Sequence, residues 1–177
     1  MPIIGKDISL LTQKAAVAGT EKIPVSDSNF ITPGQIVAGV FGTEIDISNL
    51  TSSRRYITNS GVWRQTSSTV AYCVMLPVTA GKTLFVKATA SYGTSVAFMT
   101  SESFGSNGSA AAFAGDATGP TAIAEGASLV MTAPTGTVAL YILTTDNDGN
   151  ECAPTVYDAD GTIMAMIGDI ETLLSEI

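Results

Sequence analysis

Residues 137–144 read Thr137-Val138-Ala139-Leu140-Tyr141-Ile142-Leu143-Thr144, with Val138, Leu140 and Ile142 on one parity and Ala139, Tyr141 and Leu143 on the other. Side chains of an extended strand alternate between two faces, so a stretch that is apolar on both parities is a strand covered on both sides. The run is short, rich in β-branched and aromatic residues, and set between Pro134-Thr135-Gly136 and the turn-forming stretch Asp146-Asn147-Asp148-Gly149-Asn150. Those limits favour a strand over a buried helix. Its two covers are expected either inside a sandwich or at a contact with another subunit.

Working outward, further strands are expected at 69–76, 83–90, 95–100, 128–132 and 152–157, each rich in Val, Thr, Tyr, Phe, Leu or Ile. In 83–90 the set Leu84, Val86 and Ala88 alternates with Phe85, Lys87 and Thr89, which gives one core face and one half-exposed face. Ala80-Gly81, Tyr92-Gly93, Glu125-Gly126 and Pro134-Thr135-Gly136 supply the turn conformations between them. Asp148-Gly149 reads as the hairpin turn between 137–144 and 152–157. The Gly, Ser and Ala-rich 102–121 reads as a long loop, with 110–114 a short strand or a turn of helix. No internal repeat is present. The expected fold is mainly β, an antiparallel β-sandwich of jelly-roll-like type over 54–160.

Both flanks differ from this body. Residues 1–53 read as an N-terminal arm: 1–31 hold short apolar pieces with no sustained period, an extended arm or a few short strands, and 43–53 are polar and turn-like. Between them Thr32 and Pro33 suit a helix start, and Val40 and Phe41 precede a stop at Gly42. At the other end, 161–177 read as a helix. Ile163, Ile167, Ile170, Leu174 and Ile177 are spaced four, three, four and three, a heptad stripe. A helix of roughly 24 Å, at ~1.5 Å per residue, is marginal alone in water, so the stripe needs a partner. Isoleucine at both core positions favours three- or four-stranded packing, which makes these five residues the candidate oligomerisation contacts of a homotrimer. The other reading docks the helix on its own sandwich.

Composition narrows the chemistry. Charged residues are 14% of the chain, against about 25% in an ordinary soluble domain. That shortfall fits a surface built of Ser, Thr, Gly and Ala or covered by neighbours. A net charge of −8 with only eight Lys and Arg argues against nucleic acid. No run of 18 apolar residues suggests a membrane span, and the opening MPIIGKDISLL is too short in its apolar part for an export signal. With no histidine, the usual triads and most zinc sites are excluded. Cys73 and Cys152 read as buried hydrophobes rather than a bridge.

Three motifs look chemical and are read as structure. Ala80-Gly81-Lys82-Thr83 resembles the end of a phosphate loop, but Leu76 stands where that loop needs its first glycine. The acids of 146–151 do not fit the register of a calcium-binding helix–loop–helix. The remaining acids fall mostly in turns, unpaired by sequence, so no catalytic site, cofactor or metal is expected. Trp63 with Tyr56, Tyr72 and Tyr92 would make an aromatic platform for sugar, which names Trp63, Tyr72 and Tyr92 as candidate glycan contacts. A lone Trp more often packs a sandwich interior.

The run Thr20-Glu21-Lys22-Ile23-Pro24-Val25-Ser26-Asp27-Ser28, continued by Ile31-Thr32-Pro33-Gly34-Gln35-Ile36, resembles the opening of virion proteins from phages and prophages of gut Bacteroidales, including the crAss-like phages. The body, through Tyr72–Leu76, Val78–Lys82, Ala97–Ser101 and Ala133-Pro134 ahead of Val138–Ile142, is similar to β-sandwich modules of phage fibres. The resemblance implies a structural, non-enzymatic head fibre or decoration protein, assembled in the host cytoplasm into the virion. Its partners would be copies of itself and the major capsid protein or another virion protein. The alternative is a carbohydrate-binding appendage for host or mucosal glycans.

Overall fold

The structure, a computed structural model, describes residues 23–24, 30–31, 40–65, 72–146 and 148–162. It divides into two units, 1–40 and 41–177. In the first, β1 (Ile23–Pro24) pairs antiparallel with β2 (Phe30–Ile31). Val40 and Phe41 have helical backbone, and Gly42 follows at φ 98°. The expected helix start at 32–37 lies outside the described residues, as do 163–177.

The second unit is a sandwich-like pair of antiparallel sheets. Its strands are β3 (Thr43–Ile45), β4 (Ser52–Ser53), β5 (Arg55–Ile57), β6 (Trp63–Gln65), β7 (Tyr72–Pro77), β8 (Thr83–Lys87), β9 (Thr94–Met99), β10 (Thr121–Ile123), β11 (Ser128–Thr132), β12 (Ala139–Thr145) and β13 (Thr155–Asp158). One sheet runs in the order β10-β9-β12-β7-β4 and the other β11-β8-β13-β3, while β5 and β6 form a separate hairpin. The links β3–β4, β7–β8, β8–β9, β10–β11, β11–β12 and β12–β13 each pass from one sheet to the other. That is why turn residues punctuate the sequence so regularly: each crossing must reverse the chain at an end of the sandwich.

Between the sheets lies the main core. Val74, Leu76, Val96, Phe98, Leu140 and Ile142 of the first sheet meet Leu84, Val86 and Val156 of the second. The alternation of 83–87 works as expected, with Leu84 and Val86 fully buried and Lys87 exposed. Phe85, on the other face, is also buried: it stacks on Phe41 at 5.1 Å and meets Tyr157 at 5.7 Å.

The first sheet has a second, smaller core on its outer side. Cys73, Met75, Ala97, Met99, Ala139 and Tyr141 face Ile57 and Trp63 of the β5–β6 hairpin, with Phe104, Ala111 and Phe113 packed around them. This settles the cover of 137–144. The sandwich interior takes Leu140 and Ile142; a third layer of the same chain takes Ala139 and Tyr141. The subunit contact that the sequence left open for this strand is not needed.

Two boundaries differ from expectation. Thr43–Ile45 and Ser52–Ser53, read as part of a polar link, are strands that pair with β13 and β7. The sandwich therefore begins before residue 54; these strands are two or three residues long and mostly exposed, so no apolar period marks them. The strand expected at 152–157 starts only at Thr155, because the Cys152 amide donates to the Thr144 carbonyl at 2.9 Å before the chain crosses sheets. The Asp148-Gly149 turn forms, but the strands it joins separate into different sheets.

Candidate functional site

The aromatic platform is not assembled. Trp63 is 2% exposed and sits at the centre of the outer core, edge-on to Tyr141 at 5.8 Å and to Phe104 at 6.3 Å. A ring enclosed in this way has no face for a sugar, so its role is core packing. Tyr72 opens β7, with the Arg54 guanidinium 5.9 Å from its ring centre. Tyr92, 40% exposed, lies in the β8–β9 turn, where its amide and carbonyl both bond the Thr89 hydroxyl. No ring pair among the described residues joins Trp63, Tyr72 and Tyr92. The stripe Ile163, Ile167, Ile170, Leu174 and Ile177 lies outside the described residues.

What holds the outer layer was not read from the sequence. Asn59-Ser60-Gly61 turns β5 into β6, with the Thr58 amide donating to Val62 at 3.0 Å and the Gly61 amide to Thr58 at 2.9 Å. Arg55 then reaches across to the 102–121 segment, where its Nη1 donates to the carbonyls of Phe104 at 3.1 Å and Gly105 at 2.8 Å. Gly105 lies so close to the Trp63 ring that a Cβ there would collide with it. The segment itself adds single bridges, Ala110 to Val62 and Phe113 to Met99. The Asn-Ser-Gly cluster was the available signal, but three-residue strands beside it are too short to show a period.

The phosphate-loop look-alike is the β7–β8 turn. Lys82 lies 2.6 Å from Asp158 Oδ2 and 3.0 Å from Asp160 Oδ2, and Asp160 Oδ1 accepts the Thr83 amide at 2.6 Å. The Asp160 carboxyl is held below its ordinary range first by that amide and then by Lys82, while the hydrogen bonds that the Lys82 ammonium donates to Asp158 and Asp160 raise its own pKa. All three side chains remain about a third or more exposed, and their contacts tie two turns together.

Asp146 is a turn former of the same kind. Its Oδ1 accepts the amides of Asp148 and Asn150 at 2.9 Å each and its Oδ2 accepts Asn150 Nδ2 at 2.9 Å. Among the described residues no group of three His, Cys, Asp or Glu side chains is placed to hold a metal. Both cysteines are free and buried; burial pushes the Cys73 thiol up to about 12 and the Cys152 thiol up to about 11.

An open groove of about 750 Å³ runs along β3, between the edges of the two sheets. Ile45, Ile47, Leu50 and Val74 form its floor, and Glu44, Asp46 and Glu151 its rim. Asp46 is committed to the Ser48 amide and hydroxyl at 2.9 and 2.6 Å and to Asn49 at 2.8 Å. The groove is therefore an acidic-rimmed furrow whose Asp46 already serves a turn.

Comparisons with protein-family models, with curated proteins and with solved structures find no match to this chain.

Proposed function

We propose that the chain is a non-catalytic structural protein of a phage particle, a homotrimeric head fibre or capsid decoration protein with a jelly-roll-like sandwich. The observation that carries this reading is the run at 20–36, with its likeness to the opening of phage virion proteins. On this reading the amino-terminal arm anchors to the capsid or another virion protein, and the stripe Ile163, Ile167, Ile170, Leu174 and Ile177 gathers three copies. The sandwich supports it in a limited way. Its turn acids and lysine make local bonds, and its large aromatic rings fill cores, which suits a rigid module whose work is to be held in place.

The glycan-binding alternative loses its main anchor with Trp63 inside the outer core. Cryo-electron microscopy of particles from the host that encodes the chain tests the proposal. Threefold density that accommodates the sandwich on the head is the expected result; particles without it refute the reading. Deleting 163–177 is expected to lower the mass of the purified assembly about threefold, and an unchanged mass would remove the stripe from the argument.

A further inference from the structure

We propose that β11 is a self-pairing edge, through which two copies of the chain join their four-stranded sheets into one continuous eight-stranded sheet. The inference rests on the sheet itself and not on the virion reading. Four strands among the described residues end a main sheet: β3, β4, β10 and β11. Open edges invite pairing with other chains, and proteins block them with charge, proline or brevity. Three of these edges are blocked so. Glu44 lies within β3 with Asp46 just beyond it, β4 is two residues long and followed by Arg54 and Arg55, and β10 is three residues between Pro120 and Glu125.

β11 has no such block. It is five residues long, Ser-Leu-Val-Met-Thr, and no charged residue occurs from 126 to 145. In a chain of net charge −8 this is the edge where two copies approach with least repulsion.

The backbone fixes how they would pair. The Ala88 amide donates to the Ala127 carbonyl at 3.0 Å, and the Ala133 amide to the Lys82 carbonyl at 2.8 Å. Odd-numbered residues of β11 therefore turn their backbone toward β8, and Ser128, Val130 and Thr132 turn theirs outward. A twofold axis through Val130 sets Val130 against Val130 of the second copy and Ser128 against its Thr132, and every outward amide then finds a carbonyl. On the inner face Leu129 meets Met131 of the second copy. Both are partly buried residues at the rim of the main core, so pairing extends that core across the contact. The contact is isologous: it consumes both edges and closes at two copies instead of growing into a filament.

Cross-linking of the full chain tests this register. Cys73 and Cys152 are buried, so thiols added by Ser128→Cys/Thr132→Cys are the accessible ones. Under mild oxidation the double variant should give at least about tenfold more disulfide-linked two-chain species than either single variant, because only 128 and 132 face each other, at about 5.5 Å between Cα atoms. Adding Val130→Pro, which removes an outward donor and leaves the ladder to β8 intact, should abolish the excess. As an independent check, Ser128→Lys/Thr132→Lys changes two exposed side chains and should halve the native mass by light scattering, with the circular dichroism spectrum unchanged. The proposal is overturned if the double variant links no more than the singles, or if the lysine variant keeps its native mass. The edge would then face water or an extended peptide of another protein.

Discussion

At the scale of single residues, the side chain that looked most like a ligand contact is a packing element. Trp63→Ala should destabilise the fold by about 3–5 kcal/mol, the usual cost of removing a buried Trp, out of a typical total of about 5–15. Urea unfolding measures it; a loss below about 1 kcal/mol would mean the outer core does not depend on this ring. The Lys82–Asp160 pair gives a pH signature whose sign follows from the shifts. Asp160 has a lowered folded pKa, so its contribution is present above the ordinary value of 3.8 and disappears as pH falls through the lowered one. Lys82 is raised, so its contribution is present below 10.5 and fades as pH rises beyond it. Asp160→Asn should therefore lower stability modestly at neutral pH and leave it little changed at the lowest pH, flattening the acid limb of the profile in thermal melts across pH. The Trp63 environment was beyond the sequence, because its partners Tyr141 and Phe104 are 78 and 41 residues away along the chain.

At the scale of elements, legibility tracked length and burial. The strand 128–132 was placed to the residue, and 83–87, 94–99 and 139–145 fall within or beside their expected ranges, since each is long enough to display its period. The pieces β3, β4, β5, β6 and β10 were not foreseen: each has two or three residues, and tertiary pairing alone makes it a strand. The β5–β6 hairpin depends on Arg55, whose two bonds to the 102–121 segment are charge-assisted. Arg55→Ala should cost about 1.5–3 kcal/mol, within the range for hydrogen bonds to a charged group. Hydrogen exchange should show the loss in both layers, with the amides of Trp63, Ala111, Leu140 and Ile142 less protected by a similar amount. Loss confined to Trp63 and Ala111 would show that the outer layer opens apart from the sandwich.

At the scale of the whole molecule, the two cores share the first sheet, so the sandwich and its outer layer should unfold as one body. The free thiols report this: with Cys73 raised to about 12 and Cys152 to about 11 by burial, neither should be alkylated in the native protein at neutral pH. Across a denaturant series both should become reactive at one midpoint, read as a direct passage from unmodified mass to the doubly modified mass. A singly modified plateau would show that one core opens first. By itself the sequence determined that the body is an antiparallel β structure and that 137–144 is covered on both faces, because alternation, turn residues and apolar content are local properties written in consecutive positions. Only the tertiary structure decided what covers that strand, that Trp63 is core, and which strands end the sheets among the described residues. Those outcomes depend on distant segments that come to share one surface, and contact between segments scores of residues apart leaves no mark on the pattern of either one.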